Sequence, residues 1–150
     1  MQNMIKNAQW FSQENGKILY FTNEGCITYD RFCMDNHRFC SLSIQKGKAK
    51  NSYDCEIDLD CVSMIRFGYH MRAIVADSVI LEASFYDKNM CLTETCRKEI
   101  AEDIASDFHD VCAEFPVIRN ASFAKIAICF SGTITACTFG MPFLELYENA

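Results

Sequence analysis

Apolar and polar residues alternate along most of this chain, and a period of two predicts strands. The cleanest run is Tyr53-Asp54-Cys55-Glu56-Ile57-Asp58-Leu59-Asp60, with Tyr53, Cys55, Ile57 and Leu59 facing one way and the acids the other. Lys46, Lys48 and Lys50 alternate just before it. A loop at residues 51–53 would set Lys50 opposite Asp54 and Lys48 opposite Glu56, a cross-strand ladder of opposite charges. Residues 17–22 and 26–29 flank Asn23-Glu24-Gly25, and a Gly closing such a loop supplies the left-handed position that predicts a hairpin. Arg31-Phe32-Cys33 and Arg38-Phe39-Cys40 echo each other about a turn at residues 34–37, placing Phe32 opposite Phe39. Further strands are expected at residues 41–44, 62–67, 72–75 and 79–85, the last after a bend at Asp77-Ser78. The tail reads as residues 123–130, a Ser131-Gly132 turn, residues 133–139 and a closing segment from Met141 to Tyr147.

Two segments carry helical spacing instead. Met4, Ala8 and Phe11 predict a short N-terminal helix. From Thr95 to Phe115, Ile100, Ile104, Phe108, Val111 and Phe115 form one stripe at steps of three and four. Glu99, Glu102, Asp103 and Asp110 lie opposite that stripe, and Pro116 stops the run. The expected fold is therefore α+β: a twisted antiparallel sheet or part-closed β-barrel, with a short N-terminal helix and one long helix (about 95–115) packed on it. With only 2 Pro and 6 Gly there is little linker material, so residues 1–150 are expected to form a single globular domain.

Charge narrows the partners. The net charge of −6 disfavours nucleic acid and anionic membrane surfaces, both of which select basic faces. No window approaches the ~20 apolar residues of a membrane span. The first ten residues hold no apolar run of signal-peptide length, which points to a cytoplasmic protein with reduced thiols.

Ten cysteines occur without one Cys-x-x-Cys pair, which excludes the common zinc ribbons and the thioredoxin-like redox motif. The even count suits a secreted, disulfide-stapled domain as a lesser alternative, and Asn120-Ala121-Ser122 is a formal glycosylation acceptor. One local cluster, Cys33-x3-His37-x2-Cys40 with Cys26 upstream, has the ligand types for zinc, although its spacing fits no standard pattern. Cys96, near the start of the expected helix, would feel the positive end of its dipole and become a reactive thiolate.

Asp54, Glu56, Asp58 and Asp60 do not form a calcium loop: Leu59 stands where the bend needs Gly, and Ile65 where the ligand Glu belongs. They form an acidic stripe able to dock a basic partner. His70, beside Gly68 at an expected turn, is a further binding candidate. Gly-x-Gly-x-x-Gly, His-Glu-x-x-His and Gly-x-Ser-x-Gly are all absent.

The expected function is accordingly a non-enzymatic cytoplasmic binding or regulatory domain without a cofactor. Its partner would be a protein or a small apolar ligand, and an open edge strand would favour a homodimer. The alternative is a thiol-dependent protein built on the zinc cluster or on Cys96.

Overall fold

The computed structural model describes residues 2–149, with the side chains of residues 31 and 32 outside the description. The strands are β1 (Gln13–Glu14), β2 (Lys17–Ile18), β3 (Phe21–Glu24), β4 (Thr28–Met34), β5 (His37–Tyr53), β6 (Ile57–Asp58), β7 (Val62–Arg72), β8 (Val75–Tyr86), β9 (Leu92–Glu99), β10 (His109–Pro116) and β11 (Phe123–Glu148). A single 3-10 turn, Ala101–Asp103, is the only helical element among the described residues. The molecule is a β-sandwich, which corrects the expected α+β fold.

Two strands are long enough to serve both layers. Residues 123–135 of β11 pair with β8 on one side, and residues 127–131 with the C-terminal half of β5 on the other. Residues 138–148 of β11 pair with β7, and residues 137–140 with the N-terminal half of β5. Sheet I therefore runs β9–β8–β11–β5–β3, and sheet II runs β10–β7–β11–β5–β4.

The crossing is made by bulges. The register of β11 shifts between Gly132 and Ile134 and again before Cys137. Gly132 (φ 84°), Ala136 (φ 49°) and Lys46 (φ 55°) take left-handed backbone there. Bulges leave N–H groups without ladder partners. Here side chains accept them: Thr133 N donates to Asp77 Oδ2 (2.8 Å) and Ala136 N to Ser43 Oγ (2.9 Å). The Ser131-Gly132 turn expected from sequence is thus a bulge inside one strand.

The inward residues fill the space between the sheets. Val79, Leu81, Ala83 and Phe85 of β8 face Ile65, Phe67, Tyr69 and Met71 of β7 across it, all buried. Trp10 closes one side against Phe21 (5.3 Å between ring centroids), Phe139 (5.7 Å) and Tyr69 (6.3 Å). Burying such a side chain contributes on the order of 2–3 kcal/mol. Trp10 therefore anchors the N-terminal segment more firmly than a single bond such as Met4 N to Leu144 O (2.9 Å). Asn51, fully buried, is satisfied within the core: its Nδ2 donates to Asn23 Oδ1 (2.6 Å) and its Oδ1 accepts from Tyr69 Oη (3.3 Å).

Several local expectations need correction. No N-terminal helix forms; residues 6–9 make turns. The long helix is absent, and its segment contains β9, the 3-10 turn and β10. Val111, Ala113 and Phe115 are buried while Asp110 and Glu114 are exposed, a period of two that the wider helical stripe concealed. The flanks of Asn23-Glu24-Gly25 do not pair with each other, because β3 and β4 both pair with β5, at opposite ends. The lysine–acid ladder does not exist: β5 runs straight through residues 51–53, and Lys50 lies opposite Cys129 and Glu24. The ribbon about residues 34–37 does form, with a tighter turn at Asp35-Asn36, since Met34 pairs with His37.

Candidate functional site

The outward positions of sheet I form a trough, and the registers explain its shape. In one cross-strand row lie Thr22, Ser52, Ala127, Glu82 and Arg97; in the next lie Lys125, Ser84 and Thr95. Small side chains at Ser52, Ala127 and Ser84 leave the floor low. Longer ones at Lys50, Glu82, Tyr86 and Lys125 rise around it.

A depression of about 330 Å³ lies over this floor, lined by Lys50, Ser52, Asp54, Glu82, Ser84, Tyr86 and Lys125 among others. It shares Asp54 with a second depression of about 340 Å³ beside Tyr20 and Lys17. It shares Lys50 with a third of about 430 Å³ beside Lys48, Cys129 and Ser131. The three depressions adjoin one another at Asp54 and Lys50, and the central one with its neighbours is termed the groove.

Its polar groups are organised around Glu82. Glu82 Oε1 accepts from Lys50 Nζ (3.3 Å) and Oε2 from Arg97 Nε (3.0 Å). Burial pulls the Lys50 ammonium down, but the Glu82 carboxylate beside it outweighs that and holds its pKa above the ordinary lysine value. Burial and the same carboxylate push the Cys129 thiol up, so this groove cysteine stays protonated. At the far side Thr22 Oγ1 lies 3.0 and 2.9 Å from the two Asp54 oxygens. Lys125 Nζ sits over the Tyr86 ring, 5.7 Å from its centroid. The central depression thus offers the Tyr86 ring, hydroxyls, carboxylates and ammonium groups in a shallow open site, with Tyr20 in the adjoining depression. Such an arrangement binds a polar, extended ligand by hydrogen bonds and ring stacking.

The residues singled out in the sequence are scattered. Of the acidic stripe only Asp54 reaches the groove. Glu56, Asp58 and Asp60 are exposed around β6, where Asp58 Oδ1 accepts from Asp60 N (3.0 Å). Their alternation with buried Ile57 and Leu59 holds, but only Ile57–Asp58 joins a ladder. His70 lies within β7 rather than at a turn, on the opposite sheet, with Nδ1 2.9 Å from Asp110 Oδ1.

The cluster proposed for zinc is not brought together. Cys40 points into the core, where burial pushes its thiol up to about 12. Cys33 is exposed and lies opposite Arg38. His37 Nδ1 is 3.0 Å from the Ala8 carbonyl, and Cys26 Sγ donates to the Ser43 carbonyl (3.6 Å). No group of three or more His, Cys, Asp or Glu among the described residues is placed to hold a metal ion. Cys96 lies on β9 rather than at a helix start, and burial with the neighbouring Glu94 carboxylate pushes its thiol up. All ten cysteines are free thiols.

Glu82, Tyr86, Arg97 and Lys125 were not singled out by sequence, and Lys50 was singled out only for a charge ladder that does not form. Residues 79–85 were expected as a strand, and Ile80, Glu82 and Ser84 lie on its outward side. What no single strand reveals is which outward sets lie side by side.

By sequence the chain matches no protein-family model and no curated protein. Solved structures do match it. Over 97% of this chain it superposes with a TM-score of 0.71 and 14% identity on the enzymatically active domain of tailspike protein 4 of bacteriophage CBA120, spanning 21% of that chain. TmCBM61, solved in complex with β-1,4-galactotriose, matches at 0.61 and 13% identity, over 98% of this chain and all of that one. The family 11 carbohydrate-binding module of the cellulosomal cellulase Lic26A-Cel5E of Clostridium thermocellum matches at 0.60 and 10% identity, over 99% and 97% of the two chains. The fold is the β-sandwich of these modules. At such identities the likeness extends to the fold alone.

Proposed function

We propose that this chain is a binding module for a carbohydrate chain, with the groove on the outer face of sheet I as its site. One observation carries the proposal: a depression lined by hydroxyls, charged groups and the Tyr86 ring lies on the outer face of sheet I, adjoining two further depressions through Asp54 and Lys50. A sugar ring presents hydroxyls around its rim and C–H groups on its faces, which suits hydrogen bonds donated by Lys50, accepted by Glu82 and exchanged with Ser52 and Ser84, together with stacking on Tyr86. Full-length structural likeness to modules whose names include carbohydrate binding supports the same assignment. The earlier expectation of a binding domain is kept in this form, with a polysaccharide in place of a protein or an apolar ligand, since the central depression is lined mainly by polar groups.

Affinity electrophoresis through gels containing soluble polysaccharides tests it, with the wild type beside Tyr86→Ala. Retardation by at least one polysaccharide is expected. In the variant it should fall by about tenfold or more, the equivalent of one lost stacking platform and its contacts, with the melting temperature unchanged. Absence of retardation throughout a neutral and acidic panel would overturn the proposal, and so would full retention by Tyr86→Ala.

A further inference from the structure

We propose that the groove selects saccharides bearing carboxylates, uronic-acid chains, with Lys125 and the Lys50–Glu82–Arg97 triad as counter-charges. The proposal rests on the carbohydrate assignment above and specifies the ligand of that same site.

The charges of the groove are unlike those of the chain as a whole, which carries −6. Glu82 is flanked by two cations, Lys50 at 3.3 Å and Arg97 at 3.0 Å. Within that triad one carboxylate neutralises one of them. Lys125 has no carboxylate partner among the described residues; its ammonium rests over Tyr86. The opposing groove carboxylate, Asp54, is engaged by Thr22. In the central depression Lys50 and Lys125 match Glu82 and Asp54 in number. Arg97 lies beside Glu82, and Glu24 acts on Lys50 from the neighbouring depression. This stretch is therefore near neutral on a protein of net charge −6, and Lys125 is the ammonium that no carboxylate among the described residues faces.

The scarcity of rings points the same way. Tyr86 is the one ring facing the central depression from its outward row, since Tyr53, which also lines it, is buried. A ligand bound through stacking alone would have a single platform in the central depression, the next ring being Tyr20 in the adjoining one. A uronate satisfies both partners at once, its ring on Tyr86 and its carboxylate toward the adjacent Lys125 ammonium, a charge-assisted contact roughly twice as strong as a neutral one. Glu82 and Asp54 in the walls repel densely charged sulfated or phosphorylated polymers. One carboxylate per sugar is the charge density that the groove accommodates.

The test uses the whole chain in titration calorimetry with oligogalacturonate and oligomannuronate, each beside its methyl ester, which keeps the sugar and removes the charge. At least one acid should bind about tenfold or more tighter than its ester, and rising salt should narrow the gap. Lys125→Met keeps the stem over Tyr86 and removes the ammonium. It should weaken the acid about tenfold and the ester by much less, with the same melting temperature. Equal binding of acid and ester, or an acid affinity untouched in Lys125→Met, would overturn the charge selection while leaving the carbohydrate assignment standing. Retention in gels of neutral polysaccharides alone has the same meaning. If neither the acids nor any neutral polysaccharide binds, the carbohydrate assignment falls as well.

Discussion

The two sheets present outer faces of the same β5 and β11, yet one face is open and the other is covered. On sheet II, Phe39 faces outward opposite Gly140 and is nevertheless fully buried. Its cover is the segment leading into β10, where Phe108 stacks on His70 (5.4 Å, 9° between planes), meets Phe39 (5.4 Å) and lies beneath the Arg72 guanidinium (5.1 Å). The N-terminal segment covers the neighbouring bulge, where Asn3 Nδ2 donates to the Pro142 carbonyl (3.1 Å) and Asn3 Oδ1 accepts from Leu144 N (3.0 Å). Sheet I has no such cover among the described residues, and its outward rows mix short side chains such as Ser52, Ser84 and Ala127 with the charged Lys50, Glu82, Arg97 and Lys125. A sheet face covered by its own chain spends its side chains on stability. A bare polar face contributes little to packing, which leaves its side chains free for the ligand proposed above.

The largest effect expected separates fold from face. Gly68 of β7 pairs with Cys112 in the ladder between β7 and β10, and a Cβ there would lie 2.0 Å from the Val111 carbonyl oxygen and 2.6 Å from Cys112 Cβ. Backbone cannot swing aside as a long side chain does, so Gly68→Ala must push β10 off sheet II. A loss of more than about 3 kcal/mol is expected in urea unfolding, at the upper end of single substitutions. A stability within 1 kcal/mol of wild type, by the same rough scale, would mean that the β7–β10 contact is looser than described.

A middle effect sharpens the contrast between the faces. Phe108 is only half-buried, so Phe108→Ala should cost about 1–2 kcal/mol, less than the loss for a core phenylalanine. Polysaccharide retardation should be unchanged. Tyr86→Ala should do the reverse, weakening retardation with little change in stability. If Phe108→Ala weakened binding as much as Tyr86→Ala, the covered face would share in the site.

These tests rest on residues that differ in how plainly the sequence showed them. Local alternation exposed the strands at residues 62–67 and 79–85, because each is an interior strand with one face on the core and one outward. It failed at β9, where Thr93, Glu94, Arg97, Lys98 and Glu99 are exposed: an edge strand has one neighbour and little apolar content to display. It failed again over residues 100–116, where Ile100, Ile104 and Phe108 cover edges and faces from irregular backbone and simulate a helical stripe. The domain-spanning lengths of β5 and β11 were hidden by their bulges, since Gly47, Gly132 and the left-handed Lys46 and Ala136 resemble turns between short strands. The groove was the least legible part. Lys50, Glu82, Arg97 and Lys125 come from four strands, and only long-range register places them together.

The smallest effect concerns the outer edge of the open face. Glu99, at the end of β9, accepts from Ser78 Oγ, from Val79 N (2.8 Å) and from Ala101 N (3.1 Å), tying β9 to β8 at that corner. Burial raises its pKa, but the hydrogen bonds from Ser78, Val79 and Ala101 outweigh this and hold the carboxyl below its ordinary value. A carboxyl with a lowered folded pKa adds stability above its unfolded pKa of about 4.3, and that stability is lost as pH falls through the folded value. The site is largely exposed to solvent, so the contribution should be roughly some tenths of a kcal/mol. Glu99→Gln should therefore lower stability slightly at pH 7, and wild type and variant should converge on acidification below about pH 4. Hydrogen exchange of the β9 amides gives the more sensitive readout, with faster exchange expected in the variant at pH 7. If exchange along β9 were unaltered, the edge of the open face would be held by its ladder to β8 alone, and Arg97 would keep its place beside Glu82 without help from that corner.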